Sequence, residues 1–392
     1  MQEEQVGDVL YYLRTERGAS REQLFQGLCS RGNYSYYEQG QRLPDRLLLN
    51  AFLQRLGKNA DKLATVLSAE EYEYFQWKKK VLMAVGQEDM ETLQRLLGKS
   101  EAVRLPVNER LQQQFLAQMQ AIVAEHVEKN IGKSVLLLET AAELTMPGIR
   151  EQGFYLYLIS MEEMEIWLNL ATALKKAERE AEARELLEKI VNYVEQQYKD
   201  YESKVVIYPK AVRQLIPLLI KEKRMLEGRV LCKKAVELLC VQGVLYDLSI
   251  LMEYYLECCN EEDREAIRYE KQLQALQEVY RENGAELYLK ENTAQSYSNR
   301  EIYLIDEVVK RGRTRKAITQ AVLSEQIEIE NETMSRIESG KRTPSKKHFR
   351  AMMKTLDTEL DYYNGELDTT DFLLLEKKLE LERAISLKRW NI

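Results

Sequence analysis

Histidine, cysteine, proline and glycine are scarce in this chain: 2, 5, 6 and 17 residues among 392. Each scarcity removes a class of chemistry or fold. His126 and His348 sit in no Cys/His or carboxylate cluster, so neither suggests a proton relay or a metal ligand. Cys29, Cys232, Cys240, Cys258 and Cys259 have no paired or metal-like spacing, which argues against disulfides and metal and for a reducing compartment. Cys232 and Cys240 lie eight apart on one helix face, where a thiol serves as a small core residue. The Gly-Lys-Ser strings at 98–100 and 132–134 lack the upstream glycine of a phosphate loop and follow no strand. There is no nucleophile elbow and no dinucleotide fingerprint, so the sequence predicts no enzyme, no cofactor and no metal. No apolar run approaches the roughly 18 residues that span a bilayer. The start, MQEEQVGDVLYYLR, lacks the cationic lead and apolar stretch of a signal peptide. A cytoplasmic protein without a membrane partner is expected.

What is abundant points to helix. Glu, Lys, Leu, Gln and Arg fill long stretches uninterrupted by proline or glycine, and all are good helix formers. No alternating Val/Ile/Thr series suggests a sheet, so the fold class predicted is all-α. The formal net charge is −7. Locally the balance reverses, because residues 310–350 hold eleven Lys/Arg against five Glu, a net +6. Residues 1–58 carry eight Lys/Arg against seven acids, only +1. A cationic cluster on one compact segment is either a solvated face or a footprint for phosphate.

The two ends of the chain repeat each other. Ser35, Glu38, Gly40, Arg42, Pro44, Ala51, Leu56 and Ala84 return 300 residues later as Ser335, Glu338, Gly340, Arg342, Pro344, Ala351, Leu356 and Ala384. Upstream the offset is 299, pairing Ser20, Leu24 and Leu28 with Thr319, Leu323 and Ile327. One residue has been added between the matched segments.

In the C-terminal copy, Thr319 and Gln320 open a short helix, TQAVLSEQI, whose buried side is expected from Ala321, Val322 and Leu323. A second helix, NETMSRIES, turns Met334 and Ile337 inward and leaves Asn331, Glu332, Ser335 and Arg336 outside. Gly340 falls where a left-handed cap is needed. Phe349, Met352, Met353 and Leu356 mark the next amphipathic helix. In the N-terminal copy, Tyr34 and Tyr37 take the inward places, and Arg31, Gly32, Asn33, Ser35 and Tyr36 the outward ones.

The string TQAVLSEQI…NETMSRIESGKRTPS resembles the helix-turn-helix of the Cro/repressor-like (XRE) family over about 55 residues. The resemblance implies that Gln320 meets a DNA phosphate and that the next helix enters the major groove, with Asn331, Glu332, Ser335 and Arg336 facing the bases. Arg336 would read guanine and Asn331 adenine. Lys341 and Arg342 follow as further DNA-binding candidates. The matching N-terminal candidates are Arg21, Arg31, Asn33, Ser35, Tyr36 and Arg42. That copy departs from the family pattern at Arg21, where Gln is usual, at Cys29, where an inter-helix Gly is usual, and at the helix-weakening Gly32. Which copy reads DNA stays open. Charge and motif favour the C-terminal one, although Glu325, Glu328, Glu330 and Glu332 crowd its edge. Position favours the N-terminal one, and both are expected to contribute.

Between the copies, residues 165–191 fit a tetratricopeptide (TPR) repeat. Trp167, Leu170, Ala171, Leu174, Ala183, Leu187 and Ile190 occupy its apolar and small positions. Leu215, Ile216, Leu219, Gly228, Cys232 and Ala235 repeat the grid 45 residues on, against about 34 in the usual repeat. Degenerate helix pairs are expected in 70–100, 109–145 and 245–283, and such pairs stack into a solenoid. Asn169 would project toward the concave face as a peptide-binding candidate. Tyr155, Tyr157 and the tyrosines at 193, 198, 201 and 208 either line a groove or pack between helices.

The expected organisation is therefore an XRE-like domain at 1–66, a TPR-like solenoid at 67–295, and a second XRE-like domain with a terminal helix at 296–392. It is similar to the cytoplasmic peptide-responsive regulators of the Rgg/PlcR-like group. The resemblance implies a homodimeric transcription regulator with double-stranded DNA and a short signalling peptide as partners. A TPR adaptor whose terminal domains bind protein instead of DNA is the other reading, supported by the acidic overall charge.

Overall fold

A computed structural model describes residues 6–58, 65–67, 69–283 and 302–356, apart from residues 43, 200, 246, 260–263, 340 and 343. Four helices form the N-terminal copy: α1 (Val6–Glu16), α2 (Arg21–Phe25), α3 (Arg31–Glu38) and α4 (Arg46–Arg55). Polar residues ahead of α2, α3 and α4 satisfy amide hydrogens that the helix leaves unpaired. The Ser20 Oγ accepts from the Gln23 amide, and the Gln23 side chain accepts from the Ser20 amide, closing a capping box. Ser30 accepts from Asn33 and Asp45 from Leu48. Leu10, Leu24, Tyr34, Phe52 and Leu53 then meet in one core, and Leu158 of the central domain joins it.

The middle of the chain is a series of helix pairs: α5 (Ala69–Gly86) with α6 (Met90–Leu97), and α7 (Glu109–His126) with α8 (Ile131–Thr145). A one-turn helix, α9 (Ile149–Gln152), leads to α10 (Met161–Lys176) with α11 (Glu180–Gln197). Next come α12 (Tyr201–Lys221) with α13 (Met225–Gln242), and α14 (Leu248–Glu257) with α15 (Arg264–Asn283). The first two and the next two full pairs turn through a non-glycine residue at positive φ: Glu88, Lys129, Glu178 and Lys223, between 53° and 62°. Every grid residue named above is buried, Trp167 to 1 % exposure. Gly228 shows why the grid wants a small residue, because a Cβ there would stand 3.0 Å from Cys258 Sγ. α12 holds Pro209 and Pro217 inside the helix. Each removes a backbone hydrogen bond, and burial of Ile207, Ala211, Val212, Leu215, Ile216 and Leu219 offsets the loss.

The C-terminal copy comprises α16 (Ile305–Arg315), α17 (Gln320–Gln326), α18 (Asn331–Glu338) and α19 (Lys346–Leu356). Its helices start 299, 299, 300 and 300 residues after their counterparts, so the added residue lies in the turn before α18. The left-handed turn residue is Gly27 in the first copy and Glu328 in the second, not Cys29. On α17 the expected inward face is corrected: Ala321 and Val322 are exposed, while Leu323 and Ser324 are buried. Leu323 and Ile327, four apart, share the face that meets the core, and their neighbours turn away. Met334, Ile337, Phe349, Met352, Met353 and Leu356 complete a core of the copy's own residues. Gly340, Ala384 and the terminal helix lie outside the described residues.

One feature departs from the all-helical expectation. β1 (Thr65–Leu67) pairs in parallel with β2 (Ile302–Leu304), Thr65 opposite Ile302 and Leu67 opposite Leu304. Three-residue strands carry no alternation long enough to recognise in a sequence.

Candidate nucleic-acid interface

Each terminal copy is organised around one buried glutamate on its third helix. Glu38, with 1 % of its side chain exposed, accepts from Arg14 Nε at 2.5 Å, Arg21 Nε at 2.6 Å and Tyr34 Oη at 2.9 Å. Glu338, with 3 % exposed, accepts from Arg313 Nε at 2.6 Å, Arg313 Nη2 at 3.0 Å and Gln320 Nε2 at 2.7 Å. Arg14 and Arg313 also reach, through Nη1, the carbonyls of Ala19 and Ile318, both at 2.9 Å. One carboxylate thus ties three helices together in the same way at both ends. Burial pushes the Glu338 carboxyl up, and the bonds from Arg313 and Gln320 more than reverse this, leaving it below the usual carboxylate range.

This geometry refines the sequence assignment of Arg21 and Gln320. Both stand at the start of the second helix, where phosphate contact was expected, yet both side chains donate to the clamp glutamate. Arg21 remains about half exposed, at 49 % of its side chain. Their nearest role is to orient the helix that follows.

The outward face of that helix is accessible in both copies. Asn331, Glu332, Ser335, Arg336, Lys341 and Arg342 are exposed, as are Arg31, Tyr36 and Arg42, with Asn33 and Ser35 half-buried. Arg42 Nη1 reaches Asn33 Oδ1 at 3.4 Å, and Arg342 Nη1 reaches Thr333 Oγ1 at 3.2 Å. Arg336 donates to Glu332 one turn back at 2.6 Å. Both partners are more than half exposed, so breaking this pair costs only about 0–1 kcal/mol. Replacing Arg336 with alanine is expected to cost roughly 1–3 kcal/mol of specific DNA affinity, while Arg342→Ala weakens all sequences alike. Equal losses for both variants on specific and random duplexes, measured by fluorescence anisotropy, would remove Arg336 from base reading.

The copies differ in how they are held. Arg55, at the end of α4, is fully buried and uses all five of its donors. Nη1 reaches the carbonyls of Leu24 and Gln26 at 2.9 and 2.8 Å, and Nη2 that of Thr145 at 2.9 Å. Nη2 and Nε meet the two Glu163 oxygens at 2.6 and 3.2 Å. Glu163 also accepts from Thr145 Oγ1 at 2.8 Å and from the Ser160 amide at 2.9 Å, so it caps α10 while holding α4. Gly27 lies flat on the same junction, where a Cβ would fall 1.8 Å from the Thr145 carbonyl oxygen. Arg17 adds a bond to the Gln197 carbonyl at 2.9 Å. The equivalent of Arg55 is Thr355, so the C-terminal copy lacks this junction's central group.

Asn169 is exposed on α10, as its position in the repeat predicts. Tyr157, Tyr193, Tyr198 and Tyr208 are buried between helices, and Tyr155 is exposed. Packing therefore accounts for most of these rings: Tyr193 Oη donates to the Tyr157 carbonyl at 2.9 Å and accepts from the Ile159 amide at 2.8 Å. The side chain of Tyr201 lies outside the described residues. All five cysteines are unbridged, and burial pushes the Cys29 and Cys258 thiols up to about 11. The sequence reading missed Arg14 and Arg313, although the 299-residue offset aligns them, and it missed the junction formed by Gly27, Arg55 and Glu163.

Residues 309–363 match the model of the helix-turn-helix family. The C-terminal copy is thus a helix-turn-helix domain. A similar solved structure is Bacillus thuringiensis PlcR in complex with the peptide PapR7 and DNA, 18% identical, with a TM-score of 0.41, covering 72% of this chain and 97% of that one. No curated protein matches the chain. Among the described residues, no helix is long and apolar enough to cross a membrane.

Proposed function

We propose that the chain is a sequence-specific, DNA-binding transcription regulator of the cytoplasm that acts as a homodimer, with the solenoid serving dimerisation and sensing a short peptide. The observation that carries this reading is the C-terminal helix-turn-helix. It has its own core and a clamp that orients α18, and it presents Asn331, Glu332, Ser335 and Arg336 to solvent within a segment of net +6. An exposed helix of this kind fits the major groove, where each base pair shows a distinct donor and acceptor pattern. The surrounding lysines and arginines supply the phosphate contacts that dominate affinity.

We assign the peptide site to the exposed face of α10 around Asn169. Peptide binding can act on DNA only through different affinities for two arrangements of the reading domains.

The test is to incubate the full chain with fragmented genomic DNA at physiological salt and sequence what is retained. Enrichment of one shared sequence supports the regulator. Recovery no different from bulk DNA contradicts it and favours the adaptor reading.

A further inference from the structure

We propose that a single chain reads a bipartite, asymmetric DNA site, with the two terminal copies on adjacent segments of different sequence. The inference rests on the DNA-binding reading above and specifies the substrate of that site.

Three observations carry it. The first is that the reading frame is intact in both copies. Glu38 and Glu338 hold the first and second helices against the third through matching partners, Arg14 and Arg313, then Arg21 and Gln320. The third helix is therefore presented alike at both ends. The residues that changed between the copies to form the Arg55–Glu163 junction lie at the end of α4 and just after α2, and they leave Arg31, Gly32 and Tyr36 exposed.

The second is that both copies are anchored near the start of α5. Leu47 of α4 is buried with Tyr74 and Phe75 of α5. On the other side, β2 pairs with β1, which ends two residues before α5 begins, and β2 itself touches α5. No residue separates Leu304, the end of β2, from Ile305, the start of α16. The C-terminal copy is thus held at its first helix and not on a long tether. Domains of about 50 residues are roughly 25 Å across, so two of them meeting near one helix start, itself about 10 Å thick, have centres about 25–35 Å apart. One DNA turn separates half-sites by about 34–36 Å. The separation of the centres is of the order of one DNA turn.

The third is that the two reading faces differ. One offers Arg31, Asn33, Ser35 and Tyr36, and the other Asn331, Glu332, Ser335 and Arg336. At the 300-residue offset only the serine is shared, because Arg31, Gly32 and Tyr36 correspond to Asn331, Glu332 and Arg336, so the two segments are expected to differ in sequence.

The test is selection of bound duplexes from a randomised library by the full chain and by two variants, Arg336→Ala and the double variant Arg31→Ala/Asn33→Ala. Arg31 and Arg336 are exposed and Asn33 is half-buried, and unchanged thermal melting verifies that each variant folds. The expected result is two unlike sequence blocks about one turn apart for each chain bound. Arg336→Ala should flatten only one block, with a 5- to 150-fold loss of affinity for the full site, and the double variant only the other, with a loss at least as large, following the cost of about 1–3 kcal/mol per lost base contact. A motif of identical blocks, flattened by Arg336→Ala and untouched by the double variant, would overturn the bipartite site and leave DNA reading by the C-terminal copy intact. No enrichment by the unaltered chain would overturn both.

Discussion

Replacing Arg55 with alanine is expected to destabilise the chain by about 3–5 kcal/mol, because it leaves the buried Glu163 carboxylate without its cation. The substitution removes five hydrogen bonds at once, three of them to backbone carbonyls that have been withdrawn from water. The N-terminal copy should then melt separately from the solenoid and become accessible to protease between α4 and α5. Gly27→Ala attacks the same junction sterically, since its Cβ would overlap the Thr145 carbonyl. It should give the same separation while Arg55 is still present. Thr355→Ala, at the equivalent position of the C-terminal copy, should change stability by no more than about 0.5 kcal/mol, because the contact there is from Lys316 Nζ to the Thr355 backbone carbonyl. Urea unfolding followed by proteolysis distinguishes these outcomes. A single cooperative transition for Arg55→Ala, unchanged from the parent, would show that the copy is not held by this junction.

Glu338→Ala should be the most damaging change in the C-terminal copy, costing about 3 kcal/mol or more. It strips three hydrogen bonds from the clamp, leaves Arg313 mostly buried without its partner, and frees α18 from α16 and α17. DNA binding by this copy should be lost, while the melting of the N-terminal copy and solenoid is unchanged. The clamp also predicts a pH dependence. The folded Glu338 carboxyl lies below its ordinary value, and an unfolded glutamate titrates near 4.3. The folded state therefore binds fewer protons in that range. Its contribution is fully present above the unfolded value and is lost as pH falls through the folded one. Glu338→Gln should abolish that dependence while keeping part of the hydrogen bonding. Melting of the C-terminal copy that is equally acid-sensitive in parent and Glu338→Gln would assign the titration to another group.

The architecture was legible where burial has a period. Met334 and Ile337 on α18, and the two grids from Trp167 and Leu215, mark helix faces by spacing alone, and the repeat itself located both terminal copies. The misplaced inward face of α17 has a simple cause. Three consecutive apolar residues cannot share one side of a helix, and the hydrophobic cluster Ala321–Val322–Leu323 hid the pair that does, Leu323 and Ile327. The short β1–β2 ladder joins segments more than 230 residues apart and has no local signature. The polar interior was also hidden. Arg55 reads as one more helix-ending cation until Glu163 and Thr145 arrive from a distant part of the chain. At Arg21 and Gln320 the sequence did not show the first partner, since the clamp glutamate lies 17 or 18 residues on, at the end of the next helix.

The most direct test of the central claim is the affinity of the full chain for DNA as a function of salt, measured on a selected site and on a scrambled duplex of equal length. A cationic reading domain releases counterions on binding, so log K should fall linearly and steeply with log salt, by about 0.9 for every phosphate neutralised. The selected site should stay at least about 1000-fold tighter than the scrambled one throughout. Weak affinity with a shallow slope and no preference between the duplexes would contradict sequence-specific DNA reading.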